Sequence, residues 1–138
     1  MSIQIAGPKA PEKYYNMTLY KVADVFQTSS RGILTARFTD NRFGYVNDEL
    51  LPINSERFLY VEENLTGGIG IVIRENNLYN LLRTDGTLVF EEGYNKIERI
   101  GANIIRLTKK TNTGKLIYNL AKIENGKVSF DEWSESIK

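Results

Sequence analysis

Leu78-Tyr79-Asn80-Leu81-Leu82-Arg83-Thr84-Asp85-Gly86-Thr87-Leu88-Val89-Phe90 lines up with Ile117-Tyr118-Asn119-Leu120-Ala121-Lys122-Ile123-Glu124-Asn125-Gly126-Lys127-Val128-Ser129-Phe130. The offset is 39 residues at the tyrosines and 40 at the glycines and phenylalanines, so one residue is inserted before the turn. The match runs on past it. Phe90-Glu91-Glu92 meets Phe130-Asp131-Glu132, and Ile97 meets Ile137. A fainter copy is Arg42-Phe43-Gly44-Tyr45-Val46-Asn47-Asp48-Glu49-Leu50-Leu51-Pro52-Ile53. Self-similarity at a fixed period is the mark of a repeat architecture, and it governs how everything else is read.

A second element follows the same period. Gly32 to Arg37, Gly70 to Arg74 and Gly101 to Arg106 each read as glycine, an aliphatic run, then arginine. Aromatic and apolar segments precede them, at Tyr20 to Phe26, Phe58 to Val61 and Tyr94 to Ile100. Repeats therefore run at about 20–57, 58–93 and 94–132, with a partial copy at 133–137, after an N-terminal arm at 1–19. The partial copy reads as the first strand of a fourth unit, expected to complete the sheet of the first repeat or to pair with another subunit. The arm carries Pro8 and Pro11, and Ser2 to Lys13 reads as an extended tether.

Within each repeat the runs are short, rich in Ile, Val, Leu and Tyr, and bounded by Asp-Gly or Asn-Gly dipeptides, the signature of strands joined as hairpins. Pro52 argues against a helix over 49–62. The order of glycine, apolar strand, aromatic-Gly/Asn strand, Gly turn and Tyr-x-x-Ile segment resembles the WG (or KWG) repeat family over most of residues 20–137. Phe43-Gly44, Tyr79-Asn80 and Tyr118-Asn119 stand where that family has Trp-Gly. The resemblance implies a bacterial or phage β-repeat with a binding role and transfers no active site. The fold class is all-β, about three repeats of 37–40 residues, β-trefoil-like or propeller-blade-like, with a short N-terminal arm.

Composition narrows the chemistry. The 138 residues include no histidine and no cysteine, which removes the usual general base near neutral pH, thiol nucleophiles, disulfides and the usual zinc ligands. Eighteen basic against 17 acidic residues leave a net charge of +1, too small for a global attraction to nucleic acid or an anionic membrane. No apolar run approaches the roughly 18 residues that span a bilayer. The expectation is a cytoplasmic or virion-associated protein that uses no cofactor and is not an enzyme.

Candidate residues are few. The pairs Asp48-Glu49, Glu62-Glu63, Glu91-Glu92 and Asp131-Glu132 read as solvated turn acids, because neighbours on a strand point to opposite faces. The glycines of Thr66 to Gly70 read as a turn, since a strand and not a helix follows them. Arg37, Arg74 and Arg106 occupy matching places in the glycine-to-arginine runs. A row of them could hold an anionic ligand or a partner's carboxylates, and pairing of each with an acid at the end of its strand is the favoured reading. Tyr14, Tyr15 and Trp133 lie outside the clearest copies and serve either to pack on this domain or to anchor a partner. The leading expectation is a protein-interaction or self-association module, such as a phage virion component or a host-factor-binding protein. The alternative is a small-ligand or carbohydrate-binding lectin-like domain.

Overall fold

The computed structural model describes residues 9–137. After helix α1 (Lys9–Leu19) the chain is all-β save for one short 3-10 turn at Thr66–Gly68. Sheet 1 holds β1 (Val22–Gln27), β2 (Ile33–Phe38) and β3 (Phe43–Asn47); sheet 2 holds β4 (Tyr60–Val61), β5 (Ile69–Ile73) and β6 (Tyr79–Arg83). Sheet 3 holds β7 (Lys96–Gly101), β8 (Ile104–Lys110), β9 (Leu116–Glu124) and β10 (Lys127–Phe130). All neighbours are antiparallel. Neither a trefoil barrel nor a closed propeller forms among the described residues.

Turn chemistry accounts for the hairpins. Asn125 and Gly126, with φ of 51° and 77°, make a two-residue connection between Glu124 and Lys127, a turn that needs left-handed backbone at both positions. Near the start of each third strand, an aromatic exchanges two backbone hydrogen bonds with a residue arriving after the sheet. Phe43 does so with Phe58, Tyr79 with Tyr94 and Tyr118 with Ser134, at 2.7–2.9 Å. Ser134 therefore closes onto β9 of its own sheet, whereas residues 133–137 were expected to complete sheet 1 or to pair with another subunit.

Burial arranges the sheets face to face in chain order. Val22, Ala36, Phe38 and Val46 on one side of sheet 1 pack with Met17 and Tyr20, so the helix covers that face. Tyr45 on the other side meets Val61, Val72 and Leu82 of sheet 2. Ile69, Ile71 and Leu81 then meet Ile97, Ile105, Leu107 and Ala121 of sheet 3. The expected extended tether is helical from Lys9 onward, whereas Ser2 to Pro8 lie outside the described residues. Pro11 is no obstacle, because the first-turn N–H groups of a helix have no intrahelical acceptor to lose.

Glu62 ties the three sheets together. The Tyr45 hydroxyl of sheet 1 donates to its carbonyl, and Ile71 N of sheet 2 donates to its Oε1 at 2.8 Å. Arg99 of sheet 3 forks onto both carboxylate oxygens at 2.8 and 2.9 Å and also reaches the Ile69 carbonyl. The two side chains are only 14% and 19% exposed. A fork of this kind, shielded from water, is costly to break from one side, since the surviving charge stays buried. Glu62→Ala is therefore expected to lower the unfolding free energy by about 3 kcal/mol, against less than about 1 kcal/mol for Glu98→Ala at a more solvated pair. Urea denaturation of the two variants measures both, and equal losses would refute the special place given to Glu62.

Candidate functional site

The three arginines singled out in the sequence are each engaged. Arg37 Nε lies 2.9 Å from Asp24, Arg74 forks onto Glu56 at 2.6 and 2.9 Å, and Arg106 Nε lies 3.1 Å from Glu98. Each pairs with an acid, but not one at the end of its own strand: Asp24 stands on β1, Glu98 on β7 and Glu56 in the connection between β3 and β4, and hairpin register breaks up the row. Arg37 stands opposite Phe43, but Ile73 and Thr108 stand opposite Tyr79 and Tyr118. Arg74 thus lies one residue beyond the matching position and Arg106 two short of it. Glu56 raises the Arg74 pKa by its hydrogen bond, and Arg106 lowers the Glu98 pKa in the same way.

Tyr14 and Tyr15 lie on α1, 67% and 65% exposed, and Leu19 beside them is 53% exposed. Successive positions on a helix fall about 100° apart, so 14, 15, 18 and 19 share one side while Met17 and Tyr20 turn to sheet 1. This leaves a stripe of two tyrosines and a leucine at the helix end of the series. Trp133 sits on sheet 3 instead, its ring centroid 5.7 Å from that of Tyr94.

At the other end, the outward face of sheet 3 was not foreseen. Strand alternation sends Ile105 and Leu107 of β8, with Ala121 and Ile123 of β9, toward sheet 2. Their neighbours Ile104, Arg106, Leu120 and Lys122 point the other way, and no sheet covers them among the described residues. Ile100 and Ile104 are 46% and 41% exposed, and a shallow groove of about 340 Å³ runs between Ile104, Leu120 and Phe130. The signal was present in β9, where Tyr45, Leu81 and Leu120 each stand two places past the aromatic that opens the pairing. The first two are buried under a following sheet.

A groove of about 710 Å³ lies among the turns at Gly67–Gly68, Asp85 and Asn125–Gly126. Its polar groups largely satisfy one another: Arg83 donates to the Gly126 carbonyl at 3.0 Å, and Asp85 accepts from the Thr87 hydroxyl and N–H. Those two bonds hold the Asp85 carboxyl below its usual value, suiting it to an ionised turn cap. Burial raises the phenols of Tyr45, Tyr60 and Tyr94 and keeps them protonated. Among the described residues no three acidic side chains gather closely enough to hold a metal ion, and no helix is long and apolar enough to cross a membrane.

No family model, no curated protein and no solved structure matches this chain. The arrangement leaves exposed Tyr14, Tyr15 and Leu19 at one end of the series and, at the other, a sheet face on which Ile104 and Leu120 stand among Arg106 and Lys122.

Glu98 supplies a pH test. Its folded pKa lies below the ordinary 4.5, so the stabilisation from Arg106 is complete above that value and disappears as pH falls through the folded one. Stability measured by urea midpoints from neutral to acid pH should fall less steeply in Glu98→Gln within that window than in the unmodified chain. Superimposable pH profiles would contradict the assignment.

Proposed function

We propose that the chain is a non-enzymatic assembly module whose copies stack end to end, the α1 stripe of one copy covering the outward face of sheet 3 of the next. The observation that carries this reading is Leu120. It holds the place at which Tyr45 and Leu81 are covered by a following sheet, and beside it Ile104 is 41% exposed. Fully burying an exposed aliphatic side chain is worth roughly 1.5–3 kcal/mol, of which the part-buried Leu120 would gain a fraction and Ile104 more. The helix already covers the opposite face of sheet 1 within its own chain, so the geometry needed between copies has a precedent in the fold.

In this reading each sheet is one degenerate unit of the WG type. The aromatic clasps at Phe43, Tyr79 and Tyr118 support it, as do the residues that follow them. A Cβ on Gly44 would come 3.0 Å from the Phe38 ring. Asn80 and Asn119, both fully buried, instead bond the backbone with their side chains: Asn80 reaches the Phe90 carbonyl at 2.8 Å and Asn119 the Asp131 carbonyl at 3.0 Å. Because the two contact surfaces differ, the contact is heterologous and builds open rows unless the rotation between copies closes a ring. Such a module suits a cytoplasmic or virion-associated assembly.

A second reading, binding of a small ligand or carbohydrate, is favoured by one feature. Tyr60, 46% exposed, and Tyr79 line a groove of about 450 Å³ with Lys96 and Arg99. Glycan-array binding abolished by Tyr60→Ala would establish it.

The assembly reading has a sharper test. Tyr15→Lys blocks the helix surface and Leu120→Lys the sheet surface. In analytical ultracentrifugation the unmodified chain should grow in mass with concentration, each variant alone should stay monomeric, and an equimolar mixture should stop at a dimer. A monomeric unmodified chain at high concentration, or Tyr15→Lys assembling normally, would overturn end-to-end stacking.

A further inference from the structure

Between sheets 2 and 3 an aromatic row opens to solvent. Phe90 meets Tyr94 edge to face with centroids 4.7 Å apart, Phe130 lies 5.8 Å from Phe90, and Trp133 lies 5.7 Å from Tyr94. The four rings thus run without a break, with Phe130 50% and Trp133 37% exposed. Gly93 permits the bend that brings Tyr94 over: its φ is +91°, and a Cβ there would stand 2.5 Å from the Tyr79 carbonyl oxygen. Beside the rings is a groove of about 480 Å³, bordered by Glu91, Glu92 and Lys109. Both glutamates are exposed, and neither has an ion-pair partner among the described residues.

We propose that this groove is a binding site for an arginine side chain presented by a basic peptide segment of a partner. Ring faces carry negative electrostatic potential and attract cations, more strongly as water is excluded. Two carboxylates at the rim add a charge that a planar guanidinium can fork onto while its face lies on a ring. The row already holds one cation in place: Lys109 Nζ stands 5.9 Å from the centre of the Trp133 ring. Lys109, which also lines the groove, repels an incoming cation and so tempers affinity. The groove lies apart from the helix stripe but shares Phe130 with the outward groove of sheet 3 that end-to-end stacking would cover.

Trp133 is the only tryptophan in the sequence and reports on the row. The probe is a capped peptide of alternating glycine and arginine, titrated into the full chain by tryptophan emission and by calorimetry, with a glycine-glutamate peptide as control. Saturable binding of the arginine peptide alone is expected. The double variant Glu91→Gln/Glu92→Gln and the separate Phe130→Leu should each weaken it by roughly fivefold to tenfold, and Lys109→Gln should tighten it. The glutamates and Lys109 are exposed, so circular dichroism of those variants should match that of the unmodified chain. Absence of saturable binding in both measurements overturns the site. So does binding that Phe130→Leu leaves unchanged, because attraction to charge alone would not need the ring.

Discussion

The structure depends on one residue, Glu62, that three sheets share. Glu62 follows the two-residue strand β4, and its main chain accepts from Tyr45 while its side chain accepts from Ile71 N and Arg99. Hydrophobic contact between neighbouring sheets is nondirectional and would tolerate sliding. The fork between Arg99 and Glu62 is directional, and with Tyr45 it fixes how sheet 1 and sheet 3 sit on sheet 2. Gly70 belongs to the same constraint, since any Cβ there would overlap the Tyr45 hydroxyl. A large phenol can approach the middle sheet only because that residue has no side chain.

The buried asparagines show a different solution to the same packing problem. A polar side chain taken out of water needs its hydrogen bonds made. Asn80 Oδ1 accepts from Leu81 N and Phe90 N while its amide donates to the Phe90 carbonyl, so it continues the ladder where the strand alone would not. Asn119 repeats two of these contacts, to Leu120 N and the Asp131 carbonyl. Sheet 1 has Gly44 at the corresponding place and draws the Phe38 ring against the backbone instead. Three sheets of similar outline are reached by two local means.

Much of the fold was legible in the sequence because its signals are local. Asp85-Gly86 and Asn125-Gly126 marked turns, and Phe43, Tyr79 and Tyr118 all open the pairing of a third strand. What escaped depended on register or distance. Helix α1 was masked by two prolines, although a proline in the first turn costs little. The arginines looked equivalent by counting from glycine, but the pairing of β8 with β9 runs two residues past Tyr118, so Arg106 falls at a different register from Arg37 and Arg74. Glu62 and Arg99 meet across 37 residues, with no pattern near either to announce it. The ring row was half visible, since Phe90-Glu91-Glu92 matched Phe130-Asp131-Glu132, but which rings face solvent is decided by the bend at Gly93.

The face-to-face order of helix and sheets also shapes how the molecule comes apart. Each layer packs on the layer before and after it, so its free energy is close to a sum of local terms and neighbour terms. Opening then starts where a layer has one neighbour, and it need not be all or none. Helix α1 can lift from sheet 1 while the sheets bound through Glu62 persist. Amide exchange would record that gradient as quick in α1 and slow along β5 and β8, and a loosened helix would bare Val22, Phe38 and Val46, a fresh apolar face on the first sheet.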